Sequence, residues 1–385
     1  MATLAPSPPV PRATTPGVRA APVRHLGPQW YAPVMGTAIV ASAGAGLPIA
    51  VPGLRTACTA VWSLSLVMLL ALLAARAAHW AYHRDQARTH LLDPSVAPFY
   101  GCLSMALLAV GGATLLVGRD WIGLPAAVAV DTILFTAGTA TGLAAAVAVP
   151  YLMVVRHRIE GASPVWLLPV VAPMVSAALG PLLLPHLPAG QARQSLLIAC
   201  HALFGLSLLA TLLMLPLVFG RLVTGGPLPL ALTPTLFLVL GPLGQSTTAA
   251  AHFADAAPGV LPAPYADGLS AFAVLYGVPV TGFALLWLVL AGAMVLRARR
   301  RGMRFAMTWW AFTFPVGTCV TGAGGLARHT DLAAARWLTV GLYLLLVVAW
   351  LVAARHTVRG LVSGALLAAP APAPPAPRPA MARTR

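Results

Sequence analysis

The sequence predicts an all-α polytopic membrane protein of ten transmembrane helices, and three observations lead to that fold class. Of the 385 residues, 59% are hydrophobic and 8% charged, with a mean hydropathy of +0.85. A soluble chain of this size cannot hide so much apolar surface. Apolar runs of about 20 residues recur along the chain, the length needed to cross a bilayer. They are continuous rather than alternating, which excludes a membrane β-barrel. All 24 basic residues are arginine, lying in short stretches between the runs. The net charge of +16 therefore reads as membrane topology, and nucleic acid is not expected as a partner.

The spans in order are 30–49, 57–79, 97–118, 131–155, 164–185, 195–219, 230–251, 269–296, 304–326 and 333–354. Residues 26–359 form one transmembrane domain. Residues 1–25 and 360–385 are Pro- and Ala-rich tails, expected to be disordered, and the first of them lacks the apolar core of a secretory signal. With the amino terminus in the cytoplasm, only Arg55, Arg119, Arg193, Arg328 and Arg336 fall outside; the other arginines, including the run from Arg297 to Arg304, lie inside. That bias is the positive-inside signature. It places both termini in the cytoplasm and the chain, multi-pass, in the cytoplasmic membrane, with the lipid bilayer as its first partner.

Glycine and proline are concentrated in spans one, three, five, seven and nine. Such helices kink and approach their neighbours closely. The simplest architecture is five helical hairpins, each pairing a bent central helix with a straighter peripheral one, around a central pore. Gly and Pro are also common in transmembrane helices generally, which is the plainer reading of the same pattern.

The odd spans read YAPVMGTAIVASAG from Tyr31, APFYGCLSMALL from Ala97, VAPMVSAALGPLL from Val171, TPTLFLVLGPLGQSTTAA from Thr233 and WWAFTFPVG from Trp309. Each carries a proline near its start or middle. Backbone groups freed at such breaks survive in a membrane only where protein or a wet cavity satisfies them, and amides at half-helix starts favour an anion. Candidate pore-lining residues are Gly36, Thr37, Gly101, Pro173, Thr235, Gly241, Gln245, Pro315 and Gly317. Thr37, Ser42, Thr235, Gln245 to Thr248, Thr313, Thr318 and Thr321 could offer neutral hydrogen bonds along a wet path, or bond their own helices. In the last stretch Phe312 and Phe314 precede Pro315 and Gly317, and proline breaks the helix there. A ring at such a break either packs or plugs a narrow path. Phe314 is the first candidate for a gate and Phe312 the second.

The remaining chemistry is sparse. Asp131 follows a segment, 122–130, that reads as a loop or short helix and so places it near the outer surface. His201 reads as a hydrogen-bonded packing residue; His79, His83, His90 and His157 read as solvated inside loops. Trp309 and Trp310 suit an interfacial aromatic belt. The cysteines Cys58, Cys102, Cys200 and Cys319 fall in four different spans without metal spacing, so no disulfide, metal or other cofactor is expected.

In the YAPVMGTAIVASAG start, the GPLGQS turn from Gly241 to Ser246, the WWAFTFPVG stretch and their order, the chain resembles the tellurite-resistance/dicarboxylate transporter family, which includes the plant guard-cell slow anion channels. The resemblance covers nearly all of 28–355. It implies ten helices in five quasi-repeated hairpins around a pore, assembly as a homotrimer with one pore per subunit, and a phenylalanine on span nine that occludes the pore, which falls on Phe314 with Phe312 second. The long regulatory tails of the plant channels are absent, and no arginine sits clearly within a span to hold a dicarboxylate.

The expected function is an anion channel or transporter passing small inorganic anions or small carboxylates through a mainly neutral lumen. The rival is a proton-coupled carrier of C4-dicarboxylates, sulfite or tellurite, with Asp131 as its near-membrane acid. A membrane enzyme would need converging acid, base or metal groups, and the spans offer none. A non-transport membrane subunit would carry no flux.

Overall fold

In the computed structural model, which describes residues 24–156 and 161–367, every regular element is helical. Most of both predicted tails, and His157 and Arg158, lie outside the described residues. The main helices are α1 (Tyr31–Ala45), α2 (Leu54–Tyr82), α3 (Gly101–Ala113), α4 (Leu124–Val155), α5 (Leu167–Leu179), α6 (Gln191–Gly225), α7 (Leu240–Ala256), α8 (Ala263–Arg300), α9 (Phe314–Thr330) and α10 (Ala333–Val362). Seven helical stretches are long and apolar enough to cross a membrane. They comprise all five even-numbered helices and the segments containing α3 and α5. The other three helices, α1, α7 and α9, have 15, 17 and 17 residues, short of the roughly 20 that a membrane span needs.

They are short because their starts are broken. A 3-10 segment precedes each odd helix: Pro28–Trp30, Ala97–Tyr100, Pro164–Trp166, Leu230–Val239 and Met307–Phe312. Proline opens three of these and sits inside the fourth. Its locked φ and missing N–H suit a tight first turn and spoil a continuous α-helix. In the fifth, the chain turns at Thr313, with ψ −78°, and α9 begins at Phe314 with Pro315 in its first turn.

The two kinds of helix differ in what they bury. The odd helices are buried around almost their whole circumference; in α3, Cys102 and every residue from Ser104 to Ala113 are enclosed. Each even helix buries one stripe. On α2 it runs Cys58, Trp62, Ser65, Leu69, Leu72, Arg76, His79, the three-and-four spacing of a single helical face. The opposite faces expose Leu64, Val67 and Leu70 on α2, Leu209 and Leu213 on α6, and Leu286 and Val289 on α8. Exposed leucine and valine over such lengths suit lipid rather than water. Each odd helix packs on the even helix that follows it, and the odd helices also pack in series, α1 on α3, α3 on α5, α5 on α7, α7 on α9 and α9 back on α1.

Several sequence expectations change here. Helix α4 starts at Leu124, not 131, so Asp131 lies two turns inside it, only 2% exposed and packed against Gly111. Arg76 lies within α2 at 5% exposure, donating to the Leu26 carbonyl and to the Tyr100 hydroxyl. An arginine does therefore sit within a helix, at the edge of the bundle. His79 is fully buried and stacks on His90 at 5.4 Å, because the short helix Arg84–Leu92 folds back against α2. At that site burial, chiefly, pushes the His90 imidazole down to about 4. Trp309 and Trp310 are buried in protein rather than set in a lipid-facing belt, and the Trp310 indole donates to Thr357 on α10 at 2.9 Å. His201 does pack, its ring stacked on Phe253 and bonded to the Leu197 carbonyl.

Helices α7 and α9 approach closely. A β-carbon on Gly244 would lie 2.5 Å from the backbone of Thr318 and Cys319, whereas one on Gly241 would meet nothing within 4 Å. Replacing Gly244 by alanine forces the two backbones apart, and we expect a loss of about 1–3 kcal/mol. Gly241→Ala, with helical φ and open space, should be neutral or slightly stabilising. Thermal unfolding of the detergent-purified variants checks this: equal melting temperatures for the two would show that the α7–α9 contact is not tight.

Candidate ion pathway

The α7–α9 pair carries the polar wall of a cavity between the odd helices. On α7, Gln245, Thr248, His252 and Asp255 recur at intervals of three, four and three and share one face; on α9, Phe314, Thr321, Gly324 and Arg328 do the same. Helix α1 adds Ile39, Ser42, Ala43 and Gly46, α3 and its continuation add Ala109 and Leu116, and α5 adds Val175 and Leu179. All five odd helices thus wall one cavity of about 410 Å³. Leu116 reaches it from a π-helical turn, Thr114–Gly118, that continues α3. The Leu116 carbonyl is taken by Arg55, whose guanidinium also pairs with Asp120 at 2.6 Å.

Phe314 borders the cavity. Its ring is 2% exposed. The same side chain borders a second, smaller space of about 10 Å³ formed with Met35, Met105, Leu167, Leu238, Gly241 and Pro315, room for about one water. Phe314 is therefore the residue common to a wide polar-walled cavity and a narrow apolar one. Apolar constrictions of this kind resist wetting and hence ion passage.

The polar wall is largely self-satisfied. Thr248 Oγ1 donates to the Gly244 carbonyl at 2.9 Å and meets Thr321 Oγ1 at 2.7 Å; Ser42 donates to the Ala38 carbonyl. Thr318 donates towards the Pro315, Leu240 and Gly241 carbonyls, clamping the start of α9 to the start of α7, where carbonyls are freed by the 3-10 break. Gln245 differs: its buried Oε1 has no hydrogen-bond partner among the described residues. An amide oxygen buried without a donor costs stability, and Gln245 lines the cavity. At the wide end Arg328 pairs with Asp255 at 3.1 Å, His329 with the same carboxylate at 3.2 Å, and His252 Nδ1 donates to the Ala178 carbonyl at 2.6 Å. The one guanidinium on the cavity is thus offset by a carboxylate.

Of the residues singled out in sequence, Phe314, Pro315, Gly241, Gln245, Ser42, Thr248 and Thr321 border these cavities. The others occupy contacts between helices. Gly36 faces Thr313 and Trp310, Gly101 the Leu168–Pro169 backbone, and Gly317 the Ile39 side chain, so these glycines serve close packing. Thr37 accepts from the Trp350 indole on α10 at 3.0 Å, Thr235 bonds back to Leu232, and Pro173 is buried within α5. Phe312 borders neither cavity; it packs edge-on against Phe237 at 4.8 Å and near Trp309. His252 and Asp255 were missed. Extending the Gln245 face by two helical turns would have found them, but the predicted span stopped at 251.

A helical membrane bundle with a cavity walled by its five buried helices, polar on one side and lacking an unpaired fixed charge among the described residues, belongs to the class of channels and transporters. Residues 25–358 match the family described as SLAC1, voltage-dependent anion channel, and the chain belongs to that family of membrane anion transporters. It is similar to an uncharacterized transporter of Methanocaldococcus jannaschii, 24% identical over 347 residues, which cover 89% of this chain and 95% of the relative. It is also similar to a sulfite efflux pump of Trichophyton rubrum, 26% identical over 319 residues, 80% of this chain and 83% of the relative.

Gln245→Glu places a carboxylate on the wall of the cavity that Phe314 also lines, which should repel any anion crossing it. At pH 8, where that carboxyl ionises most fully, anion flux into proteoliposomes should fall at least about tenfold, a barrier change of roughly 1.4 kcal/mol. Flux equal to wild type would remove Gln245 from the ion's path.

Proposed function

We propose that the protein is a passive anion pathway in the cytoplasmic membrane, in which small anions cross a mainly neutral lumen occluded by the Phe314 ring. One observation carries the reading: Phe314 alone borders both the wide cavity and the narrow apolar space beyond it. The ten main helices act as ten spans in five hairpins around this path, with both termini in the cytoplasm. Ion pairs support that topology, since Arg24 with Asp85, Arg55 with Asp120 and Arg328 with Asp255 each join residues assigned to one side. The subunits assemble as a homotrimer, one pathway in each, as the family resemblance implies. Anions up to the size of chloride, nitrate or sulfite enter from either end; the arginines of the inner face raise their local concentration, and Gln245 and the helix starts supply hydrogen bonds without a trapping charge. No enzymatic role is assigned.

A second reading, a carrier of sulfite or of small carboxylates such as C4-dicarboxylates, draws support from the sulfite efflux pump among the relatives and from Asp131, an acid buried within α4. Tellurite export is a variant of it. That reading requires saturable, proton-dependent uptake.

Flux of chloride, nitrate, sulfite and malate into proteoliposomes separates the two. In the channel reading Phe314→Ala raises flux of several anions about tenfold or more, driven by potential alone. Saturable uptake of one anion that needs a proton gradient, untouched by Phe314→Ala and abolished by Asp131→Asn, would replace the channel with the carrier.

A further inference from the structure

Away from the pathway, α6 and α8 leave two adjoining cavities on the basic end of the bundle. The first, about 420 Å³, is lined by Arg221 from α6, by Arg297 and Arg301 at the end of α8, and by the Pro227–Leu230 turn that leads into the 3-10 segment before α7. Among the described residues no aspartate or glutamate lines it, and none of the three arginines is in an ion pair with another described residue. Arg221 is held in place by donating to the Gly226 carbonyl. The second cavity, about 200 Å³, is apolar, walled by Phe219, Leu222, Val223, Trp287 and Leu290, and shares Met294 with the first.

Three guanidinium groups without an ion pair among the described residues attract a phosphate, for which arginine has bidentate geometry. A free phosphate would leave the second cavity unexplained. A basic pocket opening onto an apolar groove on the outer face of a membrane helix pair matches a molecule with an anionic head and a hydrocarbon tail. We propose that this pair of cavities binds an anionic phospholipid, its phosphate among Arg221, Arg297 and Arg301 and one acyl chain in the groove against Trp287. The bound lipid also braces the pathway from behind. The Trp287 indole donates to the Leu236 carbonyl in the 3-10 segment before α7 at 2.9 Å, so the groove's back wall is tied to the break that sets the position of Gln245.

The test uses the full chain in detergent, with thermal unfolding followed as phosphatidylglycerol, phosphatidylcholine or glycerol phosphate is added. Phosphatidylglycerol should raise the melting temperature, and the other two should not. At roughly 1 kcal/mol per arginine near a membrane surface, R221Q/R297Q/R301Q should weaken the apparent phosphatidylglycerol affinity on the order of a hundredfold. Leu290→Arg, which places a charge in the groove, should weaken it too. R84Q/R88Q/R300Q removes the same charge elsewhere and should leave the affinity intact. Should the triple pocket variant not fold, native mass spectrometry of the wild type in mixed lipid micelles reads the same preference as retained phosphatidylglycerol. Equal loss in the control variant would reduce the effect to diffuse surface charge. A full shift from glycerol phosphate would make the site one for free phosphate, and equal shifts from both lipids would end the proposal.

Discussion

The constraint on which the structure depends is that a broken helix in a membrane must be enclosed. Every backbone N–H and C=O in the hydrocarbon region needs a partner, because lipid offers none. Five segments of this chain break as 3-10 turns before their α-helices, and each break frees carbonyls and amides. The five long even helices, continuous and apolar on one side, pack against those segments and face outward. Local devices then satisfy what enclosure alone does not. Thr318 collects the carbonyls at the start of α7, Trp287 takes the Leu236 carbonyl, and Arg55 takes the carbonyl bared at the π-turn.

The same constraint shapes the cavity. Enclosed helices that cannot pack flush leave space along their shared axis, and its polarity comes from whichever residues face inward. Here these are mostly hydroxyls bonded to their own helices, with Gln245 the exception. Such a wall hydrogen-bonds an anion weakly and does not hold it. A tightly held ion would not leave, so a weak site is compatible with conduction. The charged groups at the wide end are paired, which keeps the mouth close to neutral. The proposed plug sits where the 3-10 segment gives way to α9, at the start of the helix that borders both cavities.

Much of the fold was legible in sequence. The apolar runs, their lengths and the spacing of arginine between them follow from transfer free energies and need no knowledge of packing. The clustering of glycine and proline in alternate runs marked the helices that are now found buried on all sides. Phe314, Pro315, Gly241 and Gln245 were legible because they lie at breaks that proline and glycine announce. Gly36, Gly101 and Gly317 carry the same local signal yet serve helix contacts. Glycine permits close approach of any neighbour, backbone or ion, and the residue itself does not say which.

Asp131, Arg76 and His79 show the other limit. Each has the composition of a surface residue and each is buried: Asp131 because its helix began earlier than the apolar pattern suggested, His79 because a short helix folds back against it, and Arg76 because its guanidinium is enclosed against Leu26 and Tyr100. The sequence by itself determined the membrane class, the number of apolar runs and which helices would be broken, since these depend on residue type and order along one chain. Only the tertiary structure decided that Phe314 and not Phe312 borders both cavities, that α7 and α9 supply the polar wall, and that Arg221 shares one pocket with Arg297 and Arg301. Those facts depend on the rotation of one helix about its axis relative to another, and that rotation is set by packing between segments that the sequence places far apart.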